Sequence, residues 1–487
     1  MNHSNQKKQH SVGMRLVVLA VGIAAFITVL LVPASGAAGG AVALTIAGRR
    51  ALASLAFALV LWVGEALPFH ITGLFTMTLM AILGVSSWPE LVKTGFGDES
   101  IVFFIGVLSL AAAMGRSGLA ARLGRSVLKL TGDSTRAIIL GFLVAGAALA
   151  MWVTALAAAA LMLPLALGLL QAEGETPGTS RFGRSLMMAV AWGPLIGACG
   201  TPAGSGSNPV VVRFMAELAH FDLGFVDWMA FGIPVVVLLL PVAWLVITMM
   251  SPPERRRLTK AASLGSGTGS DKPANIRDEY TVAIVFLTVV ALWLTSPLIG
   301  KLTGFAPSVG FVAALGAAVL FFPGVTSFRW KDIEKDIDWA GVMLIATGIA
   351  LGTALYKSGA AAWVARIAFG GIGGLSPFWR IAAVVIGVLA VKVVFSSNTL
   401  TGTIIVPLVL SLGPIIGIDP RLYALAAGFA ANLAVLLVTT SPVNVLPWST
   451  GYFSIRDMMK TGLVFAPLAA LVIALVFSLV GGRYGLL

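Results

Sequence analysis

The sequence predicts an all-α membrane protein with about 11 transmembrane helices in two inverted repeats, each holding a re-entrant hairpin and a broken helix. Three observations lead there. First, 58% of the 487 residues are hydrophobic and 11% are charged, whereas a soluble domain carries roughly 25% charged residues. Second, the apolar residues gather into runs of the ~20 residues that a helix needs to cross a bilayer, separated by charged or Pro/Gly-rich joints. Third, landmarks of the first half recur in the same order in the second.

In chain order, a basic leader with Lys7 and Lys8 precedes a first span at 15–33. It lacks a convincing small-residue cleavage site and many spans follow, so it reads as retained. Further spans are expected at 51–67, 70–86, 100–115, 136–170 and 226–250, then at 280–297, 306–323, 339–356, 380–411 and 458–481. Shorter apolar pieces lie at 186–203 and 422–441, and the 136–170 stretch is long enough to bend back on itself. The basic run 122–129 reads as an amphipathic helix at a membrane surface. Between the halves, 251–279 is hydrophilic, with Arg255, Arg256, Arg257 and Lys260 followed by a Gly/Ser stretch at 263–270. The expected organisation is leader and first span (1–50), first repeat (51–250), linker (251–279) and second repeat (280–487). Positive charge places leader and linker in the cytoplasm, which demands an even number of crossings between them; six are counted. A bacterial inner membrane is the expected location.

Composition also excludes. One cysteine, Cys199, and four scattered histidines offer neither a disulfide framework nor a metal-ligand spacing. The net charge of +12 sits in loops beside apolar spans, where it suits anionic lipid rather than nucleic acid. No hydrolase elbow, P-loop or HExxH motif is present, which argues against an enzyme and against an organic cofactor. Trp88, Trp228, Trp330 and Trp448 lie near span ends and read as interfacial anchors. Glu65 reads as a cap or ion-pair partner, and the mixed charges Asp332 to Asp338 as a solvated surface segment.

The repeat locates the chemistry. Thr154-Ala155-Leu156, with Pro164 beyond, lies over Ser397-Asn398-Thr399, with Pro407 beyond, at an offset of 243 residues. Upstream, Ser117-Gly118-Leu119 lies over Ser358-Gly359-Ala360; downstream, Thr201-Pro202 is laid over Ser441-Pro442, and Asp227 to Gly232 over Asp457 to Gly462. This register leaves Asn208 four residues out of step with Asn444. Non-helical backbone at membrane depth survives only where protein or a water-filled cavity satisfies it. In inverted-repeat carriers such breaks meet near the midplane, where half-helix N-termini attract anions and free carbonyls hold cations. The architecture therefore points to a secondary transporter. Uncharged donors suit an oxyanion, because they avoid burying a fixed counter-charge. The candidate substrate residues are Thr154, Thr201, Pro202, Ser397, Asn398, Thr399, Ser441, Pro442 and Asn444. Candidate ion-binding or charge-balancing residues are Lys392, Thr154, Ser396, Asn398 and Thr440. The plainer alternative is that such a Ser/Asn/Thr cluster only bonds a neighbouring helix.

Ser397-Asn398-Thr399 with Pro407, Glu65-Ala66-Leu67-Pro68, Phe103-Phe104-Ile105-Gly106 leading to Ser117-Gly118-Leu119, and Thr201-Pro202 against Ser441-Pro442 carry a resemblance. From about residue 50 onward the chain resembles the divalent anion:sodium symporter family of dicarboxylate and sulfate carriers. The resemblance implies two inverted repeats, a homodimer, an elevator-like movement, a small anionic substrate such as succinate, malate or sulfate, and sodium as coupling ion. It also implies a Ser-Asn-Thr triplet at each hairpin tip whose Asn and Thr hold substrate carboxylates. The first triplet departs from that pattern: Thr154-Ala155-Leu156 keeps one hydroxyl, and Ala150 stands where the family has serine. In the second repeat Val393-Val394 replaces the usual Thr-Glu pair, so sodium coupling is not carried over by resemblance.

Lys392 lies inside an apolar run five residues before Ser397. An ammonium there either balances a bound anion or snorkels to an interface. Two rivals to a dicarboxylate carrier are a related-fold carrier, such as a sodium/proton antiporter or arsenite-type permease, and a non-transporting accessory or sensor subunit. The first would call for an essential intramembrane carboxylate, and the middles of the spans hold almost none.

Overall fold

A computed structural model of the chain describes residues 2–31, 44–128, 131–258 and 275–486. Most of the expected linker, including Lys260 and 263–270, lies outside the described residues. Among those described, regular structure is helical, with one isolated β-bridge between Ser134 and Arg257. Eight of the described helices are long and apolar enough to cross a membrane, and Phe69–Ile82, Thr135–Ala150, Val309–Val319 and Asn398–Leu410 are shorter apolar helices. Large apolar side chains such as Leu287 and Leu479 remain exposed, as they do when lipid is the solvent.

The two longest apolar runs are hairpins. The first divides into Thr135–Ala150 and Ala155–Ala172, the second into Pro377–Lys392 and Asn398–Leu410. A polar N-cap starts each returning arm: the Thr154 hydroxyl accepts from the Ala157 amide at 3.3 Å, and the Ser397 hydroxyl accepts from the Leu400 amide at 3.3 Å. The matched positions Thr154 and Ser397 thus do the same local work.

The broken helices correct the expected register. The first runs Arg181–Gly197, a 3-10 turn Pro202–Gly204, then Ser207–Ala219; the second runs Arg421–Ala430, a 3-10 turn Val438–Thr440, then Pro442–Trp448. Pro202–Gly204 therefore lies over Val438–Thr440, and Ser205 over Ser441 with matching extended backbone (φ −151° and −158°). Asn208 donates to the carbonyls of Ala198 and Thr201, ten and seven residues back; Asn444 donates to those of Ala434 and Leu437, also ten and seven back. Asn208 is the counterpart of Asn444. The Thr201-Pro202 and Ser441-Pro442 match was a coincidence of residue type. An asparagine that ties the carbonyls of the incoming helix fixes the register of each break, whereas the two prolines enter different turns.

Equivalent helices run antiparallel. Glu99–Arg116 and Trp339–Lys357 hold 18 and 19 residues, or ~27 Å each. Arg116 at the end of the first pairs with Asp336 ahead of the second, and Lys357 at the end of the second lies 3.8 Å from Glu90 ahead of the first. Likewise Tyr484, past the end of Ile455–Arg483, donates to Asp227 at the start of Phe225–Met250 at 3.0 Å. Asp227 and Asp457 each accept from the N-cap amide of these two long helices, Gly224 and Ser454, and the Ser454 hydroxyl completes a capping box at the second. Each then lays a glycine on the backbone of its own break: Gly232 against Cys199 and Gly200, Gly462 against Val435 and Leu436. A Cβ on Gly462 would stand 2.2 Å from the Val435 carbonyl oxygen. Gly462→Leu is expected to lower stability by about 1–3 kcal/mol through overpacking, read as a lower midpoint of thermal unfolding in detergent.

Other expectations divide. Trp88, Trp330 and Trp448 are exposed and fit interfacial anchors, but Trp228 is fully buried, stacks on Phe429, and donates to the Cys199 carbonyl at 2.9 Å. Its position near a span end concealed that its indole faces the break. Glu65 occupies a left-handed turn (φ 48°), exposed and without an ion pair among the described residues. The helix Leu119–Leu128 is amphipathic as expected, and its Arg122 reaches Glu279 at 3.1 Å.

Candidate functional site

The second hairpin tip carries the densest set of expected residues. Ser396, Ser397, Asn398 and Thr399 are all half-buried. Asn398 opens the helix Asn398–Leu410, whose first-turn N–H groups make a positive end. Its Oδ1 is buried with no hydrogen-bond partner. An unsatisfied buried amide oxygen costs ~1–3 kcal/mol, and being an acceptor it can be satisfied by a cation or a donor hydrogen, while the Nδ2 of the same amide is the donor. Thr399 faces the other half: a Cβ on Gly206 would lie 2.9 Å from its hydroxyl, so only glycine leaves room there. The second tip and the first break therefore meet at Thr399 and Gly206.

Behind the first break lies a buried network that the sequence reading missed. The Ser207 hydroxyl bonds Asn432 Oδ1 at 2.7 Å, Asn432 Nδ2 donates to Asn208 Oδ1 at 2.8 Å, and Ser205 and Ser207 hydroxyls lie 3.1 Å apart. Ser207, Asn208 and Asn432 are fully buried, and the network sews the halves together across more than 220 residues of sequence. Its signal was present, since Asn432 is an amide inside the apolar piece 422–441. In the second break Asn444 is equally buried, yet its Oδ1 is without a partner. The repeat explains the difference, because the position matching Asn432 in the first half is Ile196.

The first tip is simpler. Thr201 is fully buried and donates to the Met151 carbonyl, which holds the first break against the first tip. Thr154 is half-buried with its hydroxyl engaged as a cap. Thr440 donates to the Leu437 carbonyl at 2.7 Å, Ser441 caps Val443, and Pro442 is exposed. Lys392 is 2% exposed, so it does not snorkel to an interface. Its helix packs chiefly on Ile455–Arg483 and Arg421–Ala430, and from the returning arm the Thr401 hydroxyl reaches it at 3.5 Å.

A cavity of about 310 Å³ adjoins the first break, lined among others by Asp98, Phe103, Pro202, Pro209 and Arg213. Asn398 and Thr399 are not among its lining residues. Along its wall Arg213 pairs with Asp98 and lies 3.1 Å from Glu217, which in turn lies 3.7 Å from Lys357. The Asp98 side chain is 3% exposed and also accepts from the Ser100 amide at 2.9 Å. Arg213→Ala is expected to cost about 2 kcal/mol, discounted because Arg213 is one-third exposed; Asp98→Asn on that background should recover part of it. Thermal unfolding of the four proteins checks this. On another loop, burial would push the Asp419 carboxyl up, but hydrogen bonds from Arg421 outweigh it and hold the group below the usual carboxylate range.

Paired hairpin tips and paired broken helices, arranged antiparallel in an apolar bundle, define an all-α membrane transporter. The sodium:sulfate symporter transmembrane region matches residues 14–485. The sodium-dependent dicarboxylate transporter SdcS of Staphylococcus saprophyticus is 30% identical over 433 residues, covering 85% of this chain and 82% of that protein. SdcS of Staphylococcus aureus is 29% identical over the same coverage. Among solved structures, the Alcanivorax borkumensis YdaH transporter matches the fold with a TM-score of 0.51 at 15% identity, over 81% of this chain and 87% of that one. The chain belongs to the sodium:sulfate symporter family, and is a carrier rather than an enzyme.

Proposed function

We propose that the protein moves a small divalent anion, a dicarboxylate such as succinate or malate with sulfate second, across the bacterial inner membrane by an elevator-type movement of the two tips. The observation that carries this reading is the Asn398 side chain, which opens the returning helix of a half-buried tip and makes no hydrogen bond to protein, beside Thr399, whose hydroxyl meets the other repeat's break. The amide, the Thr399 hydroxyl and the helix N-terminus are donors suited to a carboxylate, and the SdcS relatives are named for dicarboxylates. Thr154, Thr201, Pro202, Ser397, Ser441 and Pro442 complete the proposed surround from both repeats. The repeats are proposed to span 51–250 and 280–487, in a homodimer with leader and linker in the cytoplasm.

Sodium is the proposed coupling ion, and it would be held by neutral oxygens. Groups of three or more His, Cys, Asp or Glu that could hold a metal ion are absent among the described residues. The partnerless Asn444 Oδ1 is the first candidate ligand; Thr154, Ser396, Asn398 and Thr440 of the tip and break segments are the other proposed oxygen donors. Ala150 and Ala155 leave the first tip poorer in oxygens, so fewer bound sodium ions are expected than two full triplets would hold. Uptake of radiolabelled succinate and sulfate into proteoliposomes tests the reading. Succinate accumulation that rises with an inward sodium gradient is expected; uptake of neither anion would overturn it.

A further inference from the structure

Lys392 is among the largest fully enclosed side chains of the protein, and its repeat counterpart, at the offset that matches Thr154 to Ser397, is Leu149, also buried. The same socket is therefore apolar in one half and cationic in the other. The Lys392 Nζ has one hydrogen-bond partner, the Thr401 hydroxyl at 3.5 Å, and that hydroxyl donates to the Ser397 carbonyl at 2.8 Å. The ammonium thus lies beside the first turn of the helix that opens with Asn398. Among the described residues no carboxylate pairs with it. Its arm Pro377–Lys392 packs on Ile455–Arg483, Arg421–Ala430 and Asn398–Leu410. The only acid these three carry is Asp457, which is held by Ser454 and lies 3.6 Å from Arg184. A buried ammonium with one hydroxyl for company, placed beside a positive helix end, is costly twice over. Its own helix's C-terminal carbonyls offset part of that cost, and an anion at the tip would offset the rest.

We infer that the Lys392 ammonium is the resident counter-charge of the anion bound at the second hairpin tip, taking a place that a co-transported cation would otherwise fill. This rests on the proposed anion site. It has a consequence for the mode of transport. With the divalent anion and one sodium ion bound beside the ammonium, the charges of the moving tip sum to zero; empty, it carries a bare charge into low dielectric, which is the slower step. Exchange of an internal anion for an external one should therefore outrun net uptake.

The test uses the full chain in proteoliposomes with radiolabelled succinate, comparing uptake into empty vesicles with uptake into vesicles preloaded with unlabelled succinate. The wild type should exchange about tenfold faster or more than it accumulates. Lys392→Met fills the same volume without charge; it should raise the half-saturating succinate concentration about thirtyfold and bring the two rates close together. Lys392→Arg should keep the wild-type ratio. An unchanged ratio and half-saturation in Lys392→Met would overturn the inference while leaving the anion site standing. So would a wild type whose two rates are equal, which needs no variant to fold. A wild type that moves neither succinate nor sulfate in either mode takes down the anion site and this inference together.

Discussion

Asn208→Leu is expected to be the most damaging single substitution in the protein. Its amide nitrogen serves two backbone carbonyls, Ala198 and Thr201, both at 2.8 Å, and its oxygen accepts from Asn432 Nδ2 at 2.8 Å. Leucine would leave two carbonyls and the Asn432 amide unpaired in a site with no access to water. At ~1–3 kcal/mol for each orphaned group, with allowance for non-additivity, the loss is on the order of 3–6 kcal/mol. Asn444→Leu makes a useful comparison, because it removes the matching pair of carbonyl bonds but no contact across the halves. The expected order of thermal midpoints in detergent is wild type, then Asn444→Leu, then Asn208→Leu. An Asn208→Leu protein as stable as Asn444→Leu would show that the buried amide network does not hold the halves together.

Asn398→Ala should do the reverse. The Asn398 side chain makes no hydrogen bond and its oxygen is buried, so alanine removes an unsatisfied group and should shift the thermal midpoint little. Transport should nonetheless fall, because hydrogen bonds to a charged ligand contribute about 1.5–3 kcal/mol each, or roughly tenfold to a hundredfold in succinate uptake at sub-saturating concentration. A residue that does nothing for the fold and much for uptake is a binding residue. Preserved uptake in a stable Asn398→Ala protein would remove it from the site.

The hairpins were legible in the sequence because a polar triplet inside a long apolar run has few explanations at membrane depth. Thr154 and Ser397 both proved to be N-caps, which is a local property that residue type announces. The register of the broken helices was not legible. Thr201-Pro202 and Ser441-Pro442 look alike as dipeptides, but the breaks are set by an asparagine reaching back ten and seven residues, a relation visible only once the chain is folded. Asn432 was passed over because the apolar piece around it was read for its length. Trp228 was misread because position along a span says nothing about the direction of an indole N–H. Lys392 was the reverse case: its cost in an apolar run was plain, while its burial depended on helices distant in sequence, Arg421–Ala430 and Ile455–Arg483, packing on its arm.

The central claim is that a passenger anion sits against the second tip, between Asn398-Thr399 and the first break. Thr399→Cys on a Cys199→Ala background places one thiol at that point. Its rate of modification by a small maleimide, measured in membranes with and without saturating succinate, tests the claim most directly. Marked slowing by succinate, and none by a neutral analogue, is the predicted result; a rate indifferent to succinate while the same membranes still take it up would contradict it.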